Sequence, residues 1–297
     1  MNNPKRHHYV PEMLSQRFLN PDGKVWYFDK RRPALGIRDS LPANLMLEGY
    51  LYSEKLDDGT KDHSLEFQFS VLESEASPVL DKIEEYVLRN LIPVLTSSER
   101  ETLIEFVCAQ WRRVPDFNNQ VFESDRYKRI VDDAVKKYEQ QMQRALSEAE
   151  RQTIDNMRKD KNVKDRSRVR ALRRVATQVI SALSPKTLQF VVTCADSPFV
   201  LGSSPVLKTS PSEESANLHH PLAEVQLAFH PRIALRFTNP NGATSLVRAP
   251  ATDVAFYNEH VARKSSVLAS HSKQKLADLL SVASLSTRQG TNASQAP

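Results

Sequence analysis

An α+β fold is predicted for this 297-residue chain, and three changes of pattern predict it. A β-rich aromatic run stands near the N-terminus, a helical period governs residues Leu65 to Leu183, and after Ser184-Pro185 the period falls to two or to short apolar runs. The architecture expected is a small N-terminal β element, a long helical middle and a C-terminal, mostly antiparallel sheet with short closing helices. One domain is expected over 1–283, divided into a β segment at 1–60, a helical region at 65–183 and a β/α region at 186–283, with a disordered tail at 284–297.

The first element is Lys24-Val25-Trp26-Tyr27-Phe28-Asp29, read as a strand because Asn20-Pro21-Asp22-Gly23 is a turn signal. Gly49-Tyr50-Leu51-Tyr52-Ser53 reads as a weaker strand. Val71, Leu72, Ala76, Val79, Leu80, Ile83 and Val87 then recur at three and four, giving a helix that starts or kinks at Ser77-Pro78 and ends before Pro93. Ser98-Glu99-Arg100-Glu101 is a capping box opening a second helix. Leu103, Ile104, Val107, Cys108 and Trp111 form its face, and Val114-Pro115 stops it.

About Phe122 to Arg158 reads as one long polar helix, weakly striped by Ile130, Ala134, Tyr138, Met142 and Leu146, which projects or pairs with another helix. A continuous stripe of Val169, Leu172, Ala176, Val179 and Leu183 follows. Strands are expected at Leu188–Thr193, Phe199–Leu201, Val225–Phe229 and Ile233–Phe237, with short helices at about Ala251–Arg263 and Ser272–Val282.

Composition excludes several classes. Two cysteines, Cys108 and Cys194, give neither a disulfide framework nor a Cys-rich zinc site, and point to a reducing compartment. The mean hydropathy is -0.49 and no 18-residue apolar run occurs, so a soluble, cytoplasmic chain with no membrane partner is expected. The formal charge of +5 is unevenly spread. Ten Lys/Arg against three Asp between Arg151 and Arg174 give that stretch +7 and leave the rest at -2. Clustered charge of this kind suits a phosphate backbone, although a solvated helical face is an equal reading. Arg166, Arg170 and Arg173 share one flank, and with Lys164 and Arg174 they are the candidate nucleic-acid-binding residues.

His7-His8-Tyr9 sets two groups that titrate near neutrality beside a phenol, and Pro11, Leu14 and Phe18 indicate that this stretch is held against a core. Gln110 and Arg113 lie one turn apart and supply an amide and a guanidinium that can fork onto a phosphate. Together His7, His8, Tyr9, Gln110 and Arg113 suit metal-independent phosphodiester cleavage, in which the RNA 2′-hydroxyl attacks. The competing reading is a buried polar network that pins the N-terminal segment. No compact carboxylate pattern marks a metal site, though Glu66 and Glu75 could converge with the histidines. No cofactor is expected, since phosphate-loop, nucleophile-elbow and His-Glu-x-x-His motifs are absent. His219-His220 reads as a strand entry.

His7-His8-Tyr9-Val10-Pro11, Leu14, Arg17-Phe18 and Val25-Trp26-Tyr27-Phe28-Asp29-Lys30 resemble the opening of the bacterial proteins grouped as domain-of-unknown-function family 4238. Glu66, Glu75, Gln110, Arg113, Pro115, Phe199 to Val206, His220-Pro221-Leu222, Asn258 and Ala262 fit in order, so the resemblance spans about residues 5 to 270. Ser203 stands where relatives often carry Asp, so an acid role there fails in this chain. The resemblance implies a setting in single-gene defence against phage, without a mechanism. Two functions are therefore expected as alternatives. One is a defence effector, an RNase-like toxin with the N-terminal histidines as general acid and base and RNA favoured over DNA. The other is a non-enzymatic sensor or scaffold for nucleic acid or a phage protein. A phage-protein trigger and a homodimer through the long polar helix are further expectations.

Overall fold

A computed structural model describes residues 6–281 apart from 57, 118–124, 175, 213–216 and 241, and its elements follow the expected α+β order. Strand β1 (Arg6–His8) pairs antiparallel with β4 (Leu47–Gly49), setting His7 opposite Glu48 and His8 opposite Leu47. Between them lie the short helix α1 (Glu12–Gln16), β2 (Val25–Asp29) and β3 (Arg38–Ser40). The turn before β2 is made by Asn20, whose Oδ1 accepts the N–H groups of Asp22 and Lys24 at 3.0 Å each. Of the expected strand 49–53 only Gly49 is extended, as the end of β4; the chain then turns, because Tyr50 takes φ 56° and breaks the extended backbone. Beyond it, β5 (Glu54–Lys55) and β6 (Lys61–Asp62) form a two-stranded hairpin.

Helix α2 (Ser64–Leu88) accommodates Pro78 in its interior. It ends where Asn90 takes φ 60°: the N–H of Asn90 donates to Val87 and that of Leu91 to Tyr86, a Schellman closure with Asn in the glycine role. Helix α3 (Ser97–Arg112) opens on a capping box at Thr96 and Glu99, two residues before the one the sequence suggested, and stops before Pro115. The expected long helix is two helices, α4 (Asp125–Met142) and α5 (Glu148–Lys159). A second capping box, Ser147 with Glu150, satisfies the first-turn amides of α5 and starts it afresh. Phe122 lies outside the described residues. The stripe from Val169 to Leu183 is likewise divided, between α6 (Lys161–Arg173) and α7 (Thr177–Leu183).

The C-terminal part builds a five-stranded sheet in the order β12-β7-β11-β10-β9, from β7 (Lys186–Val192), β9 (Val206–Thr209), β10 (Glu224–His230), β11 (Ile233–Pro240) and β12 (Ser245–Arg248). All neighbours are antiparallel except β12, which runs parallel to β7. Leu188, Phe190 and Leu235 face the larger core with the helices, whereas Val191, Ala228 and Ala234 face a smaller one with helix α8 (Ala251–Lys264). Burial on both faces explains why these strands read as apolar runs and not as clean alternation. A second sheet, β3-β2-β13-β8, joins β8 (Leu201–Gly202) and β13 (Val267–Ser270) to the N-terminal strands. Gly202 is required where this sheet meets α8, since a Cβ would sit 2.4 Å from Val261 Cγ1. A final helix, α9, covers 273–281; the tail expected at 284–297 falls outside the described residues. Among the described residues, no helix is long and apolar enough to cross a membrane.

Candidate functional site

One face of α2 carries Glu66, Ser70, Glu73 and Ser77 at spacings of four, three and four, a polar stripe beside the helix's buried apolar face. Glu12 and Gln16 of α1, hydrogen-bonded to each other at 3.1 Å, lie opposite it, and His8 projects from β1 at one end. These residues, with Met13 and Ser74, line a polar pocket of about 440 Å³. The sequence placed His8 and Glu66 here only as a conditional meeting. Glu73 and Glu12 it missed, although the i, i+4, i+7, i+11 polar stripe of α2 was available as a signal.

Burial acts oppositely on the two titrating groups. Desolvation, the largest influence, depresses His8 below its ordinary value of 6.5; the carboxylates of Glu12 and Glu73 and the Ala43 backbone pull less strongly the other way. Its Nε2 is buried and lacks a hydrogen-bond partner. Desolvation raises the Glu66 carboxyl to about 7, Arg113 lowers it and Glu73 adds to the rise. Its Oε2 is also without a hydrogen bond. The pocket thus holds a neutral imidazole and a carboxyl poised at neutrality.

The other four candidate residues stand behind this pocket and do not line it. His7 is fully buried, stacked on Tyr52 with ring centroids 5.6 Å apart, and its Nδ1 accepts the Tyr52 N–H at 3.0 Å. That acceptor role leaves Nδ1 unprotonated, so the 3.8 Å approach of Glu66 Oε2 joins a neutral ring and is not an ion pair. Tyr9 is buried, which raises its phenol; its N–H donates to Met46 and its carbonyl accepts Arg113 Nε at 3.0 Å. Arg113, 1% exposed, also pairs through Nη1 with Glu73 at 2.6 Å and lies over the Phe69 ring at 4.9 Å. Gln110 is fully buried with both amide atoms unsatisfied. Arg113 reaches the pocket electrostatically, through Glu73 and Glu66.

The basic flank of α6 faces an acidic surface of the same chain. Glu54, 5% exposed in its side chain, accepts Arg170 Nε and Arg173 Nη1 at 2.9 Å each, with Arg166 Nε 3.9 Å away, and Arg173 also pairs with Asp62. Arg168, outside the flank, donates to the Leu51 carbonyl. Arg166 and Arg170 keep 45% and 62% of their side-chain surface in solvent. Arg174 is exposed and Lys164 half-buried. The flank is both an internal ion-pair network and a partly open basic ridge.

Glu75 points away from the histidines, into a separate cavity of about 290 Å³ between α2, α3 and α6. Ser203 is buried and its hydroxyl donates to Asp116, which also accepts the Ser266 N–H at 3.1 Å. The carboxylate beside that late strand therefore comes from the residue after Pro115. Among the described residues, no group of three or more His, Cys, Asp or Glu is arranged to hold a metal ion.

No curated protein and no solved structure matches this chain. A family model does, over residues 6–275, a span that runs from β1 into α9 and includes the pocket and everything behind it. On that match the chain belongs to the family described as protein of unknown function (DUF4238).

Proposed function

We propose that this protein is a ribonuclease-type phosphodiesterase acting in bacterial defence against phage, with His8 and Glu66 as its proton-transferring pair. The observation that supports this most is their shared pocket, where burial pushes one group toward the neutral base and the other toward the protonated acid. His8 Nε2 takes the proton of the RNA 2′-hydroxyl as that oxygen bonds to phosphorus. Glu66 gives its proton to the 5′-oxygen as the phosphorus–oxygen bond breaks, leaving a cyclic phosphate. Buried Arg113 supplies positive potential for the charge developing on the phosphoryl oxygens. The open part of the α6 ridge, with Lys164 and Arg174, holds the backbone further along. RNA is favoured because the nucleophile belongs to the substrate. The defence setting rests on the family likeness.

Induced expression of wild type, His8→Ala and Glu66→Gln, followed by gels of total RNA and plasmid DNA, tests this. RNA fragments with wild type alone are expected. Intact RNA in all three, with steeply salt-dependent RNA binding, would move the assignment to a non-catalytic sensor, a reading the exposed arginines favour.

A further inference from the structure

The α4–α5 hairpin has a core too small to explain it. Of its side chains from residue 127 to 159, only Leu146 is buried, while Ile130, Tyr138, Met142 and Met157 are 43–54% exposed. Val131, Ala134, Val135, Ile154 and Met157 line an apolar groove of about 550 Å³ along the two helices. An 18-residue and a 12-residue helix bearing such a face are marginal alone and are stabilised by covering it.

Charge says what covers it. Helix α4 has five basic and four acidic residues, and α5 three of each. A hairpin so nearly neutral draws neither a phosphate backbone nor an anionic bilayer, both of which need a Lys/Arg-rich face. Its charges are instead ordered along each helix. Helix α5 runs from Glu148 and Glu150 to Arg158 and Lys159, and α4 places Asp132-Asp133 and Lys136-Lys137 on either side of Ala134-Val135. Helix α4 is thus complementary to an antiparallel copy of itself. The ion pairs Asp132–Arg158 and Glu139–Arg151 hold the two helices in register, which sets Val135 level with residue 155. A single two-fold axis in the plane of the groove, passing close to both positions, reverses both helices together.

We propose that the groove is covered by the same hairpin of a second copy of this chain, forming an antiparallel four-helix bundle about a two-fold axis near Val135. Asp133 of α4 then meets Lys137 of its copy, and Ala134 allows close approach at the crossing.

Sedimentation equilibrium of the full chain should give a dimer, and Val135→Glu with Ile154→Lys should give a monomer with unchanged thermal unfolding of the remaining fold. In a Cys194→Ser background, Val135→Cys should form a symmetric intermolecular disulfide on oxidation. Met142→Cys should not, being seven residues from the axis on each copy, about 20 Å apart at the rise of an α-helix. A monomeric wild type at all concentrations would overturn the proposal. So would cross-linking through Met142→Cys as readily as through Val135→Cys, which would mean parallel helices.

Discussion

The backbone N–H of Tyr52 donates to Nδ1 of His7 at 3.0 Å, joining the turn after β4 to the strand before it. The bond gives the two adjacent histidines different work. His7 is the acceptor for a buried amide, and His8 faces the pocket. His7→Ala should lower the unfolding free energy by about 1–3 kcal/mol from the orphaned amide alone, more with the lost stacking on Tyr52. His8→Ala should unfold close to wild type yet lose activity. Urea unfolding of both variants measures the difference, and equal destabilisation would remove the distinction.

Activity should follow a narrow bell in pH. Its acid limb reports His8, lying below 6.5, and its alkaline limb reports Glu66 losing its proton at about 7. RNA cleavage rates across pH 5 to 9 test this, and an optimum on the alkaline side of 8 would rule out Glu66 as the proton donor.

Glu66 should also weaken the fold that contains it. Its carboxyl titrates at about 7 in the folded chain against an ordinary value of 4.5, so the folded state binds the proton more tightly. The contribution to stability is present below pH 4.5 and is lost as pH rises to 7. Glu66→Gln removes the titration and should be more stable than wild type above pH 7 while inactive. Denaturant midpoints at pH 5 and pH 8 check it: the variant's advantage must grow with pH.

Glu73→Ala leaves the Arg113 guanidinium, 1% exposed, without its carboxylate. Loss of one partner of such a buried pair costs about 3–5 kcal/mol. Calorimetry should show a large fall in Tm, and a change within experimental error would mean that Tyr9 and Phe69 hold the guanidinium unaided.

Glu54→Gln should release part of the α6 flank. With Arg166, Arg170 and Arg173 no longer drawn to a carboxylate, RNA affinity should rise and its dependence on log salt steepen by roughly one counterion. Fluorescence anisotropy at several salt concentrations reads both, and weaker binding would show that Glu54 orients the arginines for phosphate.

What the sequence disclosed followed the reach of each signal. Helices α2 and α3 were legible because apolar period and stop signals agree, and β2 because Asn20 builds its own turn. The break between α4 and α5 was legible too, in Ser147 and Glu150, but the helix-forming composition around it hid the cap. At the site, the adjacent histidines drew attention as a pair, although alternation in β1 sends one to the core and one to the pocket. Glu73 and Glu75 could be told apart only by helical phase against Glu66. The partners of Arg170 and Arg173, more than a hundred residues away in the β5–β6 hairpin, had no local trace.

The order of strands β3-β2-β13-β8 bears on how the protein is made. Val25–Asp29 leaves the ribosome early, yet one side of its ladder is completed only by Val267–Ser270. Until translation has passed residue 270, β2 has at most β3 beside it and keeps an open edge. Closure spanning most of the chain also predicts slow folding, since distant ends must meet before either gains from the contact. Synthesis arrested in that interval would release a chain with a hydrophobic aromatic strand exposed for pairing with any neighbour, a natural substrate for chaperones and proteases.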